Sequence, residues 1–251
     1  MRRHAAPFWL GCTLLLLMLP AAAMSQRRTA LVIGNATYAR EPLRTPINDA
    51  VDMAKTLEQL GFVVSLLHNV PRQVLEEALV LFGQQLREHD LGFFYFAGRG
   101  VHINGEHYLI PIDAQIIGVQ DVRQQALSLR RLLGVVEAVR PTPVVLVLAT
   151  SRDNPFLPSG PPRQQVLEMP PATQNVWIAY ATAPGHRALE GTERNSIYTK
   201  HLLRYITTPG LSLAEMFKRV RYAVIQETEG KQVPWEAFSL PQDFSLGRKP
   251  E

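Results

Sequence analysis

Residues Leu146 to Phe156 read LVLATSRDNPF. From Val144 to Leu148 the chain is unbroken apolar β-forming sequence, and a polar, turn-forming cluster follows at once. A short apolar run bounded in this way reads as a strand buried on both faces. In open α/β sheets the binding site lies just outside the C-terminal ends of such strands. The residues from Ala149 onward are therefore where function is sought.

Four further runs have the same character: Thr29 to Gly34, Phe62 to Leu67, Leu91 to Phe96 and Val176 to Ala181. Between them apolar residues recur at helical spacing. Asn48 reads as an N-cap, with Asp49 and Asp52 in the first turn and Ala50, Met53, Ala54, Leu57 and Leu60 on one face before Gly61 stops the helix. Pro71 opens a second helix with Leu75, Leu79, Phe82 and Leu86 on its face. Leu129 to Val139 predicts a third and Leu213 to Val224 a fourth. Asn104-Gly105, between the β-runs Val101 to Ile103 and Tyr108 to Ile110, signals a hairpin. Strand alternating with helix predicts an α/β fold, a three-layer α/β/α sandwich around a mostly parallel central sheet.

These residues carry a resemblance. LATSRDNPF is similar to the LDACRDNPF motif of the bacterial caspase-like, metacaspase-type cysteine peptidases, whose Cys is the nucleophile. FAGRG, Phe96 to Gly100, is similar to their YAGHG motif, which holds the catalytic His. IAYATAPG, GTERNSIYTKHLL, MFKRVRYAV and GKQVPWE follow in the family's order. Several separated motifs in one order are far more specific than any one alone. The resemblance implies a caspase-like fold over residues 28–247, with a p20-like part at 28–156, a linker at 157–174 and a p10-like part at 175–247. It also implies cysteine endopeptidase activity and a cleft formed by Asp49, Arg99, Ala149, Ser151, Arg152, Asp153, Ala181 and Thr182. Three of these positions depart from the family. Ser151 replaces the Cys, Arg99 the His, and Ala149 the Asp that belongs to a pocket for basic side chains.

The spacing survives the substitutions: Arg99 precedes Ser151 by 151 − 99 = 52 positions, close to the ~50 that separate His and Cys in caspases. The chemistry does not survive. A serine hydroxyl is a poor nucleophile without an adjacent base. Arginine stays protonated at any reachable pH and cannot take its proton. His102 and His107 sit in the hairpin, and the expectation is that both are exposed. They could serve Ser151 only if the hairpin folded back over the strand ends. Arg99, if buried, needs an anion, and Asp49, Asp153 or an anionic ligand is the expected partner. Asp49 reads equally as a pocket carboxylate and as a helix first-turn acid favoured by the dipole.

Arg2 and Arg3, the apolar run Phe8 to Leu19 and Ala21-Ala22-Ala23 read as a secretory signal over residues 1–23, followed by a short segment, 24–27. The expected destination is the periplasm or the exterior, the alternative being an uncleaved inner-membrane anchor. Cys12, the single cysteine, lies inside that signal. The mature chain would have no disulfide and no thiol nucleophile. Removing Arg2 and Arg3 from 26 basic residues leaves 24 against 22 acidic, which predicts no bulk attraction to nucleic acid. No HExxH and no Cys/His cluster points to a metal, and no motif points to a cofactor. The sequence thus predicts a caspase-like domain without peptidase activity that binds a peptide or protein partner at its cleft. Two alternatives stand beside it: a residual hydrolase using Ser151, and a purely structural interaction domain with the cleft collapsed.

Overall fold

The computed structural model describes residues 26–139, 142–151, 174–240 and 244–247. The expected signal segment, nearly all of the expected linker, and Arg152 and Asp153 lie outside the described residues. The elements in order are β1 (Arg28–Gly34), α1 (Pro46–Gln59), β2 (Phe62–His68), α2 (Arg72–Leu86), β3 (Leu91–Ala97), β4 (Gly100–Ile103), β5 (Glu106–Leu109), α3 (Val119–Gln125), β6 (Leu127–Ser128), α4 (Leu129–Glu137), β7 (Val144–Ala149), β8 (Val176–Tyr180), α5 (Ile197–Ile206), α6 (Leu213–Glu227) and β9 (Trp235–Phe238). The main sheet runs β2-β1-β3-β7-β8-β9. Its first five strands are parallel and β9 is antiparallel to β8. A small antiparallel sheet, β4-β5-β6, stands beside the end of β3.

The central strands are apolar throughout because both of their faces are covered. Phe93, Tyr95, Val145 and Val147 join the cluster that contains Met53 and Leu57 of α1 and Phe217 and Val220 of α6. Phe94, Phe96, Leu146 and Leu148 join the opposite cluster, with Leu79 and Phe82 of α2 and Leu132 of α4. Alternation along each strand thus feeds two cores, and each side chain buried there contributes about 1.5–3 kcal/mol. The Asn104-Gly105 turn has positive φ at both residues, 50° and 80°, the conformation that a tight hairpin turn with this pair requires.

Two helix bounds need correction, and α3, β6, α5 and β9 are additions to the expected elements. Helix α1 starts at Pro46 after Thr45, not after Asn48, since proline at the first helical position costs no hydrogen bond and presets φ. Asn48 instead donates its side-chain amide to the Arg194 carbonyl at 3.2 Å. Helix α4 ends at Glu137, short of Val139. Helix α3 and strand β6 were not expected, and seven and two residues are too few to show a period. Strand β9 was not expected either. It is held by pairing with β8 and by Trp177, whose ring stacks on Phe217 at 5.6 Å and on Phe238 at 4.3 Å. No helix among the described residues is long and apolar enough to cross a membrane.

Candidate functional site

Strands β3 and β7 lie side by side in register, with Ala97 opposite Ala149. The register offset is the same 52 positions that separate Arg99 from Ser151. Gly98-Arg99 and Thr150-Ser151 therefore leave adjacent strand ends together, and the motif spacing is a consequence of strand pairing. A cleft of about 1170 Å³ opens over them and is lined by Arg99 and Ser151 among others.

Arg99 is held first by its main chain. Its N–H donates to the Tyr38 hydroxyl at 2.9 Å, and that hydroxyl donates to the Ile110 carbonyl at 3.0 Å. Burial pushes the Tyr38 phenol far above its ordinary pKa, so it stays a neutral donor and acceptor. The Arg99 guanidinium lies 5.3 Å from the Tyr38 ring centre. Its Nη2 reaches the Glu41 carbonyl, the Arg40 carbonyl at 3.4 Å and the Glu41 carboxylate at 3.3 Å. The expected pairing with Asp49 is not found. Asp49 is committed elsewhere, and Asp153 lies outside the described residues.

Asp49 is buried at the start of α1, 1% exposed, and its Oδ1 accepts the Ser196 N–H at 2.9 Å. Burial pushes its carboxyl up from 3.8 to about 6, against the lowering effect of hydrogen bonds from Ser196, Asn195 and Thr199. It stands in the first turn of the helix and also walls a cavity. That cavity, about 60 Å³, lies between Asp49, Ala149, Ala181 and Tyr198, and Ser151 and Glu190 line both it and the large cleft. Glu190 is held in place there, because its Oε1 accepts from Arg44 N, Thr45 N and Thr45 Oγ1 at 2.7, 2.9 and 3.1 Å. Ala181 is buried at the end of β8, with its carbonyl accepting from Gln232 at 2.8 Å. Thr182 is fully buried and lines neither space.

The Ser151 hydroxyl oxygen accepts the Ala188 N–H at 3.1 Å, its one hydrogen bond among the described residues. Among the described residues no imidazole is hydrogen-bonded to it. The hairpin does fold back over the strand ends, contrary to expectation, and both of its histidines are buried: His102 is 4% and His107 2% exposed. His107 Nε2 lies 3.0 Å from Thr150 Oγ1, one residue short of Ser151, and the ring packs edge-on against Tyr180 at 5.8 Å. Thr150 is itself sealed at 1% exposure, so this pair meets no solvent. Alternation explains the outcome, since successive strand residues face opposite sides.

The second glycine of FAGRG now has a cause. A Cβ on Gly100 would stand 2.6 Å from Thr150 Oγ1 and 3.0 Å from His107 Cε1. Gly100→Ala is expected to wedge the hairpin from the strand end and cost about 2 kcal/mol, read as a fall of about 6 °C in melting temperature. An unchanged melting curve would show that the Thr150–His107 packing yields without cost.

Sequence reasoning missed Tyr38, Glu41, Glu190 and Ser196. All four lie in loops or at a helix cap, where neither period nor a chemistry-bearing cluster marks them. Among the described residues no group of three His, Cys, Asp or Glu side chains could hold a metal ion.

The family model Peptidase_C14, the caspase domain, matches residues 27–245. The human Mucosa-associated lymphoid tissue lymphoma translocation protein 1 is 26% identical over 169 residues, 66% of this chain and 20% of that protein. Its homolog from Mus musculus matches with the same identity and coverage. The chain thus spans about a fifth of the length of these relatives. Caspase-1 from Spodoptera frugiperda superposes with a TM-score of 0.67 at 17% identity, covering 89% of this chain and 91% of that one, a likeness of fold.

Proposed function

Because the chain belongs to the caspase-domain family of peptidases, through residues 27–245, we propose that it is a member without peptidase activity that binds a peptide or protein partner at the cleft over Ser151. One observation carries this reading. The Ser151 oxygen is occupied by the Ala188 N–H, and no base stands within hydrogen-bond reach of it among the described residues. An acyl transfer needs the nucleophile's proton taken and then given to the leaving amine. Arg99, at the neighbouring strand end, can do neither. The open cleft supports binding over the collapsed structural domain, because about 1170 Å³ of space is kept at the strand ends.

The test is peptide hydrolysis by the mature chain, residues 24–251, with arginyl and lysyl fluorogenic substrates beside a Ser151→Ala variant. The expected result is no turnover above background in either protein. Turnover by the unmodified chain that Ser151→Ala abolishes would establish the hydrolase reading in its place.

Export is part of the same proposal and rests on the N-terminal pattern alone. A periplasmic or secreted domain is expected to lose residues 1–23 on maturation. Mass spectrometry of the exported chain reads this directly, and an intact Met1 on a membrane-bound product would show an uncleaved anchor.

A further inference from the structure

Resting on the reading of the cleft as a binding site, we propose that Arg99 selects the ligand, and that the ligand is an extended peptide presenting a glutamate side chain between apolar residues. Arg40, Arg99 and Arg187 line the cleft against Glu41 and Glu190. Glu190 is tied down through Oε1, which accepts from Arg44 N, Thr45 N and Thr45 Oγ1. The other lining acid, Glu41, is the one on Arg99, so three arginines face two carboxylates.

Glu41 holds Arg99 as a ligand would. It offers a carboxylate and a carbonyl to one guanidinium nitrogen, Nη2, and the Arg40 carbonyl joins them. Arg99 Nε is buried and has no partner among the described residues. A guanidinium has five donors in a planar fork matched to a carboxylate, and here its contacts run through one corner. The hold is also easy to exchange. The Glu41 side chain is 81% exposed, and an exposed ion pair contributes little. Its backbone has φ 49°, the left-handed region that a glutamate adopts only with strain. A peptide carboxylate meeting the fork with two oxygens replaces a one-cornered contact by a bidentate one. The apolar flanks follow from Leu43, Val101, Ile116 and Ile117 on the cleft wall; Ile117, 81% exposed, has no cover of its own.

The experiment is fluorescence anisotropy with the mature chain and a labelled hexapeptide, acetylated and amidated, with one Glu among Leu and Val. Matched peptides carry Gln or Arg in place of the Glu. The Glu peptide is expected to bind about tenfold tighter than the Gln peptide, and the Arg peptide weakest. Arg99→Gln, with its melting temperature checked, is expected to erase the preference for Glu over Gln. Glu41→Gln is expected to tighten Glu-peptide binding a few-fold by removing the competitor. Equal binding of the Glu and Gln peptides, a preference that survives Arg99→Gln, or no binding by any peptide overturns the inference. Cleavage of a peptide that Ser151→Ala abolishes would instead overturn the inactive reading and leave the Glu preference standing as its own result.

Discussion

Ser151→Cys combined with Arg99→His is expected to hydrolyse peptides at least about 100-fold faster than the unmodified chain, the low end of what one general base contributes. The scaffold argues for recovery. The two positions leave adjacent strands in the register Ala97 opposite Ala149, and Arg99 is anchored to Tyr38 through its main-chain N–H. That anchor survives any side chain at 99. Replacing the guanidinium also releases Glu41 from the mouth of the cleft. A thiol at 151 accepts the Ala188 N–H more weakly than the serine oxygen does, so the segment around Ala188 loses its tie to the strand end. A thiolate beside an imidazole is an activated nucleophile. Neither single change should suffice, since a thiol without a base and a base without a thiol each lack half of the proton transfer. Ala149→Asp, added as a third substitution, places a carboxylate in the cavity beside Asp49 and is expected to shift preference toward arginyl and lysyl substrates. Double and triple variants that fold, by circular dichroism and melting, yet cleave nothing would show that the cleft has diverged beyond these three positions.

The strands were legible because each is an apolar run bounded by turn residues, and Val144 to Leu148 is buried without exception. The hairpin was legible because Asn104-Gly105 supplies the two positive φ values that its turn requires. The alignment of Arg99 with Ser151 was legible as a number, and β3–β7 pairing supplies its cause. What escaped the sequence is contact between distant segments. Glu41 is separated from Arg99 by 58 positions and Glu190 from Thr45 by 145. No periodicity records such a meeting, which depends on how loops lie over finished strands. The histidines failed for a related reason. Hairpin residues are usually exposed, but this hairpin closes over the ends of the sheet, and tertiary packing turns His102 and His107 inward. Beginning α1 at Asn48 was a local error of capping, in which proline at the first helical position outweighed the side-chain cap.

Asp49→Asn is expected to stabilise the protein by about 3 kcal/mol at pH 7.5 and by almost nothing at pH 4. The folded state holds the Asp49 carboxyl at about 6 against its ordinary 3.8, chiefly because burial disfavours the charge. A raised carboxyl pKa means that the folded chain keeps a proton which the unfolded chain has released. The contribution to stability is therefore fully present below about pH 4. It is lost as pH rises toward about 6, and the cost levels off above that at about 3 kcal/mol. Asparagine removes the charge and keeps an oxygen for the Ser196 N–H, while the Ser196 and Thr199 hydroxyls can turn to accept from its amide. The whole protein's acid profile does not isolate this effect. Asp52, lowered chiefly by Arg194, and Glu227, where burial is outweighed by the lowering effect of Lys200 and His201 together, lose stability on acidification and so titrate in the opposite sense. The difference between variant and unmodified chain, from urea unfolding at a series of pH values, cancels those groups. A difference that stays flat from pH 4 to 7.5 would place the Asp49 carboxyl near its ordinary value, and a carbon-13 titration of that carboxyl would confirm it. The sign also bears on the cleft. Asp49 lines the small cavity beside the cleft, and there its charge is sustained at the expense of the fold. The cost falls on a chain that has alanine, not a second carboxylate, at 149, so the pH dependence of the Asp49→Asn difference reads how far the fold tolerates a lone charge at this position.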